Sequence, residues 1–222
     1  MPYTALLLDF YGTLVEEDDL VIARIAGEVA AHSPLTPDVQ EVSRRWWELM
    51  SGIVRAAHGT AFKPQREIEL ESLTTLQREF QVSLNAVELS QPIFDYWQRP
   101  RAYPDAINLL HQSALPICIV SNIDSADINA ALSHLGWCVP LVVTSEMCHA
   151  YKPRTEMFEA ALQVLGVRSE QALHVGDSIG SDIIGAQCAG IDVAWVNRRG
   201  RTIPNPAPTH VITSLVDLLE LF

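Results

Sequence analysis

Lysine is almost missing from this chain of 222 residues, which carries it only at Lys63 and Lys152. Basic residues as a whole number 15 against 27 acidic ones, a formal charge of -12. That deficit argues against a nucleic-acid or polyanionic partner. A small anionic substrate stays open, because a local field can oppose the global one. Cysteine is also scarce: Cys118, Cys138, Cys148 and Cys188 form no C-x-x-C pair, and Cys118 and Cys188 stand in apolar contexts. Reduced thiols in a cytoplasmic protein are therefore expected. No apolar run approaches the ~20 residues needed to span a bilayer, so no membrane partner is expected. No basic segment followed by an apolar stretch suggests a signal peptide. Repeats and low-complexity segments are absent as well. What is abundant is apolar: 48% of the residues are hydrophobic, enough for a sizeable core in one large domain or a core with a small accessory domain.

Residues from about Tyr3 to Leu8 read as a short buried strand that ends in Asp9-Phe10-Tyr11-Gly12-Thr13. The stretch from about Glu16 to Gln98 has helical periodicity and almost no strand signal. Within it, Val39, Val42, Trp46, Leu49, Ile53 and Ala57 recur at three- and four-residue spacing and mark one apolar stripe. Thr36-Pro37-Asp38 reads as the start of that helix, with Thr36 as the capping hydroxyl and Pro37 as its first residue. Trp46 is expected in the core; Trp47 lies off the stripe and is a candidate to face a cleft. Further helices are expected near 19–32, 65–80 and 85–97. From about Ala102 onward short apolar runs alternate with helices, including a helix over 181–189 stopped by Gly190. That alternation implies parallel βαβ units. The expected fold is α/β: a parallel sheet built from residues 1–15 and 102–222, with a helical block, 16–101, inserted after the first strand.

Four segments place reactive groups at strand ends, where ligands of open α/β sheets bind. Asp9 follows the first strand; a carboxylate there can attack phosphorus or carbon and form a covalent ester, or simply cap the turn. Gly12 permits a tight turn, and the Thr13 hydroxyl can bond the nucleophile or a substrate. Ser121 and Asn122 follow Cys118-Ile119-Val120, where a hydroxyl and backbone amides can hold an oxyanion or cap a helix. Lys152, in Tyr151-Lys152-Pro153, can neutralise neighbouring carboxylates. Asp177 and Asp182, five apart after His174-Val175-Gly176, offer the hard oxygens magnesium takes; Asp182 could equally be a helix-start carboxylate.

An aspartate, a hydroxyl, a lysine and an acidic pair, in that order, resemble the four motifs of the haloacid dehalogenase-like hydrolase superfamily, over nearly the whole chain. The resemblance implies a Rossmann-like, doubly wound core with an inserted α-helical cap. It implies Asp9 as nucleophile, Lys152 beside it, and Thr13, Ser121 and Asn122 against the substrate. It also implies Mg2+ held by Asp9, the backbone carbonyl of Tyr11 and Asp177, with Asp182 at or next to the ion.

One position departs from the phosphatase pattern. The second aspartate of Asp-x-Asp-Gly-Thr, which protonates the leaving alkoxide and then activates water, is Tyr11 here. A phenol with a reference pKa of ~10 is a poor base near neutrality. Asp-x-Tyr-Gly-Thr resembles the 2-haloacid dehalogenase branch, whose halide leaves without a proton, and Trp195-Val196-Asn197-Arg198 is similar to that branch too. That branch places its substrate with a cap arginine, for which Arg44, Arg45 and Arg55 are candidates, Arg45 foremost. The fourth motif, Gly176-Asp177 through Asp182, has the metal-binding phosphatase form instead. Losing an acid/base slows a site by ~10²–10⁴-fold, whereas losing metal ligands abolishes it. The metal motif therefore outweighs the tyrosine. The expected activity is magnesium-dependent hydrolysis of a small phosphorylated metabolite. A metal-independent 2-haloacid dehalogenase is the alternative, and a binding or regulatory protein without useful turnover is a third. Substrate identity and oligomeric state are not legible.

Overall fold

The computed structural model describes residues 3–221. Six strands form one sheet in the order β3-β2-β1-β4-β5-β6: β1 (Ala5–Leu8), β2 (Ile117–Ser121), β3 (Leu141–Thr144), β4 (Ala172–Gly176), β5 (Asp192–Val196) and β6 (His210–Ile212). Every pairing is parallel. Helices cover both faces, which is why β1 is an unbroken apolar run rather than an alternating one. From β1 the chain steps outward to β2 and β3 on one side and to β4, β5 and β6 on the other. The order reverses at β1, and the crevice outside that point is where ligands of such sheets bind. Leu8 pairs with both Ile119 and Val175, so the segments after β1, β2 and β4 converge on one edge.

Four helices fill the insertion: α1 (Asp19–His32), α2 (Val39–Ala56), α3 (Gln65–Glu79) and α4 (Ala86–Gln98). Its two chain crossings are laced together, with Val15 bridged to Ala102 and the Glu16 amide donating to Arg101 O at 2.8 Å. The insertion does not own a separate core. Phe10 and Leu8 of the sheet edge share one apolar cluster with Trp46, Leu73, Leu76 and Trp97 of the insertion. Beyond it, α5 (Pro104–Gln112), α6 (Ser125–Leu135), α7 (Ser145–Cys148), α8 (Glu156–Leu165) and α9 (Ile184–Cys188) connect the strands. No helix among the described residues is long and apolar enough to cross a membrane.

Three local expectations need correction. Helix α2 begins at Val39, not Pro37: Asp38 takes the capping role, its Oδ1 accepting from the Glu41 amide at 2.7 Å, while Thr36 sits outside at φ 49°. An aspartate reaches the amide three residues on as well as a threonine does, and Pro37 stays outside the helix. Trp46 is buried as expected, but Trp47 is 66% exposed. The helix expected over 181–189 opens instead as a wide π-type turn, Ile179–Ile183, before α9. Such turns recur at functional sites. Here Ser178 O accepts the amides of Asp182 and Ile183, and the Asp182 carboxylate accepts the Ser178 amide at 3.0 Å.

Candidate active site

Lys152 is buried at the centre of the crevice, and its ammonium donates to Asp9 Oδ1 at 2.6 Å, Asp182 Oδ1 at 2.7 Å and Val120 O at 2.9 Å. Its three protons are thus spent on two carboxylates and a strand-end carbonyl. Burial alone would lower its pKa; Asp182 and Asp9 outweigh that and raise it, so the charge stays. Asn122 fixes the lysine's backbone, accepting the Lys152 amide at 2.7 Å and donating to Lys152 O at 3.1 Å. Its side chain therefore positions the lysine in this structure. Ser121 is buried at the end of β2. The Thr13 hydroxyl is fully buried and has no protein partner, an orphan that suits a ligand oxygen.

The two later aspartates differ sharply. Asp182 is saturated: Oδ1 accepts from Lys152 and from His174 Nε2 at 3.0 Å, and Oδ2 accepts from the Ser178 amide. Burial pushes its carboxyl up, but Lys152 and His174 hold it well below the usual range. Asp177 is pushed up to about 8, by burial first and then by Asp9, Asp182 and Glu17. Its cationic neighbour Arg201 stands 3.4 Å from Oδ2 and bonds chiefly to Asp177 O, at 2.5 Å. Trp195 Nε1 holds that same carbonyl at 2.8 Å. Burial also raises Asp9, against the lowering by Lys152.

Oxygens of Asp9, Asp177 and Asp182 lie within 4.8 Å of one another. Lys152 bonds Asp9 and Asp182 but not Asp177, which has only the looser Arg201 contact to offset its charge. Space here is tight by construction: at Gly12, with φ 88°, a Cβ would stand 2.5 Å from Asp177 Oδ1. A set of hard oxygen donors with surplus negative charge fits a divalent cation such as Mg2+. Asp182, already saturated, is the least available of the three.

Two candidates from the sequence lie elsewhere. Tyr11 points its hydroxyl away into the insertion, donating to Trp97 O at 2.5 Å. Burial, then Asp127 and Asp18, raise its pKa well above that of a free phenol, so its side chain offers no acid/base at Asp9. Arg45 is tied to Glu79 at 2.7 Å and to Glu48 at 3.0 Å on the outer surface. Glu79 ends α3, whereas the other end of α3, at Gln65 and Arg66, docks on Asp124 two residues past Asn122. Arg45 therefore sits at the opposite end of α3 from the docking on Asp124, about 20 Å along that helix at ~1.5 Å per residue.

Other residues at the site carry no sequence signal comparable to the four motifs. His174 is a histidine within a buried strand, a polar break that would have marked it. Glu17, Arg199 and Arg201 close a small cavity with Gly12, Tyr103 and Asp177. Arg199 pairs with Glu17 and Asp19, joining the β5–β6 loop to the first crossing.

A strand-end carboxylate bonded to a buried lysine, facing an acidic pair across a doubly wound sheet, defines a hydrolase site of one superfamily. The sequence profile of the haloacid dehalogenase-like hydrolases matches residues 3–190, and the chain belongs to that family. Among its relatives, phosphatase MT3486 of Mycobacterium tuberculosis is 30% identical over 88% of this chain and 85% of its own. The (S)-2-haloacid dehalogenase H-109 of Pseudomonas putida is 25% identical, covering 99% of this chain and 97% of its own. Pyrophosphatase PpaX of Bacillus cereus is also 25% identical, over 100% and 97%. In fold, the chain superposes on the L-2-haloacid dehalogenase RSc1362 with a TM-score of 0.82 at 22% identity, over 99% of this chain and 98% of that one. On the magnesium-bound HAD-hydrolase YfnB of Bacillus subtilis the TM-score is 0.76 at 22% identity, with the same coverage.

Proposed function

We propose that this protein is a magnesium-dependent phosphatase of a small phosphorylated metabolite, acting in the cytoplasm, with residues 1–15 and 102–222 as catalytic core and 16–101 as cap. The observation that carries the reading is Asp177, a half-buried carboxylate beside Asp9 and Asp182 with too little positive charge to match. A metal-free dehalogenase has no use for that surplus. Relatives named as phosphatase and pyrophosphatase accord with it.

Asp9 supplies the nucleophile. Lys152 occupies Oδ1 and leaves Oδ2 to attack phosphorus; the P–O bond to the alcohol breaks, and a phospho-aspartate forms. Lys152 offsets charge on the transferred group. Asp182, His174 and Asn122 keep the ammonium in place. Thr13 and Ser121 receive phosphoryl oxygens. Asp9, Asp177 and the Tyr11 carbonyl would hold Mg2+, which supplies charge neutralisation at the phosphate. With Tyr11 turned away, the departing alkoxide takes its proton from water, and water then hydrolyses the phospho-aspartate. Calorimetry tests the reading: wild type should bind Mg2+ in the presence of beryllofluoride, Asp177→Asn should lose that binding, and the adduct should map to Asp9. No Mg2+ binding by wild type under those conditions would remove the phosphatase.

Tyr11 itself supports a second reading, 2-haloacid dehalogenation, which needs no acid for its halide. The similarity to the Pseudomonas putida enzyme accords with it.

A further inference from the structure

Arg201 stands exposed at the rim of the crevice and lines the small cavity there with Gly12, Glu17 and Asp177. It reaches Asp177 through one nitrogen: Nη2 donates to the carbonyl at 2.5 Å and lies 3.4 Å from carboxylate Oδ2. Among the described residues no other arginine, lysine or histidine comes within 4.0 Å of that carboxylate. The loop after β5 delivers the group. Asn197 Nδ2 donates to Arg201 O at 2.8 Å, and Asn197 Oδ1 accepts the Arg201 amide at 2.8 Å. The guanidinium lies over the Trp195 ring, 5.4 Å from its centre.

Neither the turn nor the place of Asp177 depends on the charge. Asn197 closes the turn on the main chain of Arg201, which any residue but proline supplies. Without Arg201 the Asp177 carbonyl keeps Trp195 Nε1 as its donor at 2.8 Å. Oδ1 stays wedged over Gly12, 2.5 Å from where a Cβ would stand. What the guanidinium alone contributes is a positive charge beside a carboxylate that Lys152 does not bond. The same charge opposes any cation held by Asp9 and Asp177, since like charges a few ångströms apart repel even through water. Lys152 is buried with its three protons used. Arg201, by contrast, is held by one nitrogen and has solvent to move into.

We propose that Arg201 is a tethered counter-cation for Asp177: it supplies part of the metal's charge in the metal-free protein and thereby weakens Mg2+ binding, so that occupancy follows the free Mg2+ concentration. This rests on the phosphatase reading. Arg201 is a positioning residue for charge and touches neither the nucleophile nor the transferred group.

The test is calorimetric titration of Mg2+ in the presence of beryllofluoride into wild type, Arg201→Gln, Arg201→Lys and Asn197→Ala. Glutamine keeps a donor for the Asp177 carbonyl and removes the charge; lysine keeps the charge. Arg201→Gln should bind Mg2+ at least about fivefold more tightly, the floor set by one charge on its neighbour through water. Arg201→Lys should stay within about twofold of wild type. Asn197→Ala unties the loop and should shift affinity in the same direction as Arg201→Gln, by at least about twofold. It decides the matter should Arg201→Gln not fold. The Mg2+ concentration that half-saturates phosphate release should fall in step with Kd. Wild-type binding that Arg201→Gln leaves unchanged or weakens overturns the inference alone, as does equal tightening by Arg201→Lys, which would show that charge is not the cause. Unchanged or weaker binding by Asn197→Ala overturns it too. No Mg2+ binding by wild type overturns the phosphatase reading and the inference with it.

Discussion

For the proposed phosphatase, position 11 bears on which leaving groups can be expelled. The Tyr11 phenol is spent on Trp97 O, so Tyr11→Asp both adds an acid near Asp9 and removes a tether to the insertion. Single-turnover phosphorylation by alkyl phosphates should rise, by up to ~10²–10⁴-fold, and by less for aryl phosphates, whose leaving groups need no proton. Tyr11→Phe removes only the tether and should cost about 1 kcal/mol of stability without that gain. Absence of preferential gain for alkyl esters in a folded Tyr11→Asp variant would show that proton supply does not limit the site. Glu69 makes a stability prediction of its own. Burial, with Asp18, pushes its carboxyl up to about 8, so between about pH 4.5 and 8 the folded state holds a proton that the unfolded state has lost. Stability is then full below the unfolded pKa and falls as pH rises through that window. Glu69→Gln should gain on wild type from pH 5 to pH 8, by at most about 4–5 kcal/mol; a constant difference in Tm across those pH values would contradict it. Residues such as Asp9, Lys152 and Asp177 were legible because each stands at a strand end or turn in an ordered set. Glu69 and Asp18 were not, because their surroundings come from neighbours distant in sequence.

Among the elements, α3 bears most on the crevice. Its first two amides are received not by a residue of its own chain segment but by Asp124, across the boundary between insertion and sheet. Phe62, just before it, stacks between His149 and Tyr151, with ring centroids 5.2 and 5.3 Å away, and the Tyr151 hydroxyl donates to Lys63 O. Asp124→Ala should cost about 1–2 kcal/mol, as loss of a helix cap does, and should speed hydrogen exchange in the first turn of α3 more than in α1. Equal exchange in both helices would show that Asp124 does not seat α3. A helix from residue 65 was expected, but Pro64, Gln65 and Arg66 contain no serine, threonine, aspartate or asparagine, so nothing local pointed to Asp124 as its cap. At α2 the periodicity of Val42, Trp46 and Ala57 was enough to find the helix, yet not its first residue, since Thr36 and Asp38 compete for the cap. The wide turn at Ile179–Ile183 had no sequence signature. Its shape follows from aiming Asp182 back at Lys152 and His174.

For the molecule as a whole, the strand–helix alternation identified a parallel sheet and the family resemblance implied double winding, but the strand order rests on which neighbours share registers and came from the structure. The excess of acid is partly local: Asp9, Asp177, Asp182 and Glu17 crowd one crevice, where a bound cation would relieve them. Mg2+ should therefore stabilise the fold by mass action, about 2.7 kcal/mol at a hundred times Kd, or roughly 5–10 °C in Tm for a chain of this size. Chelation should reverse the shift, and Asp177→Asn should lack it. The most direct measurement is a paired assay on one preparation: phosphate release from phosphate monoesters and halide release from (S)-2-chloropropionate, each with Mg2+ and with EDTA, for wild type and Asp9→Asn. Expected is phosphate release that requires Mg2+ and vanishes in Asp9→Asn, with no halide release. Halide release that persists in EDTA, without phosphate release, would contradict the phosphatase and establish the dehalogenase.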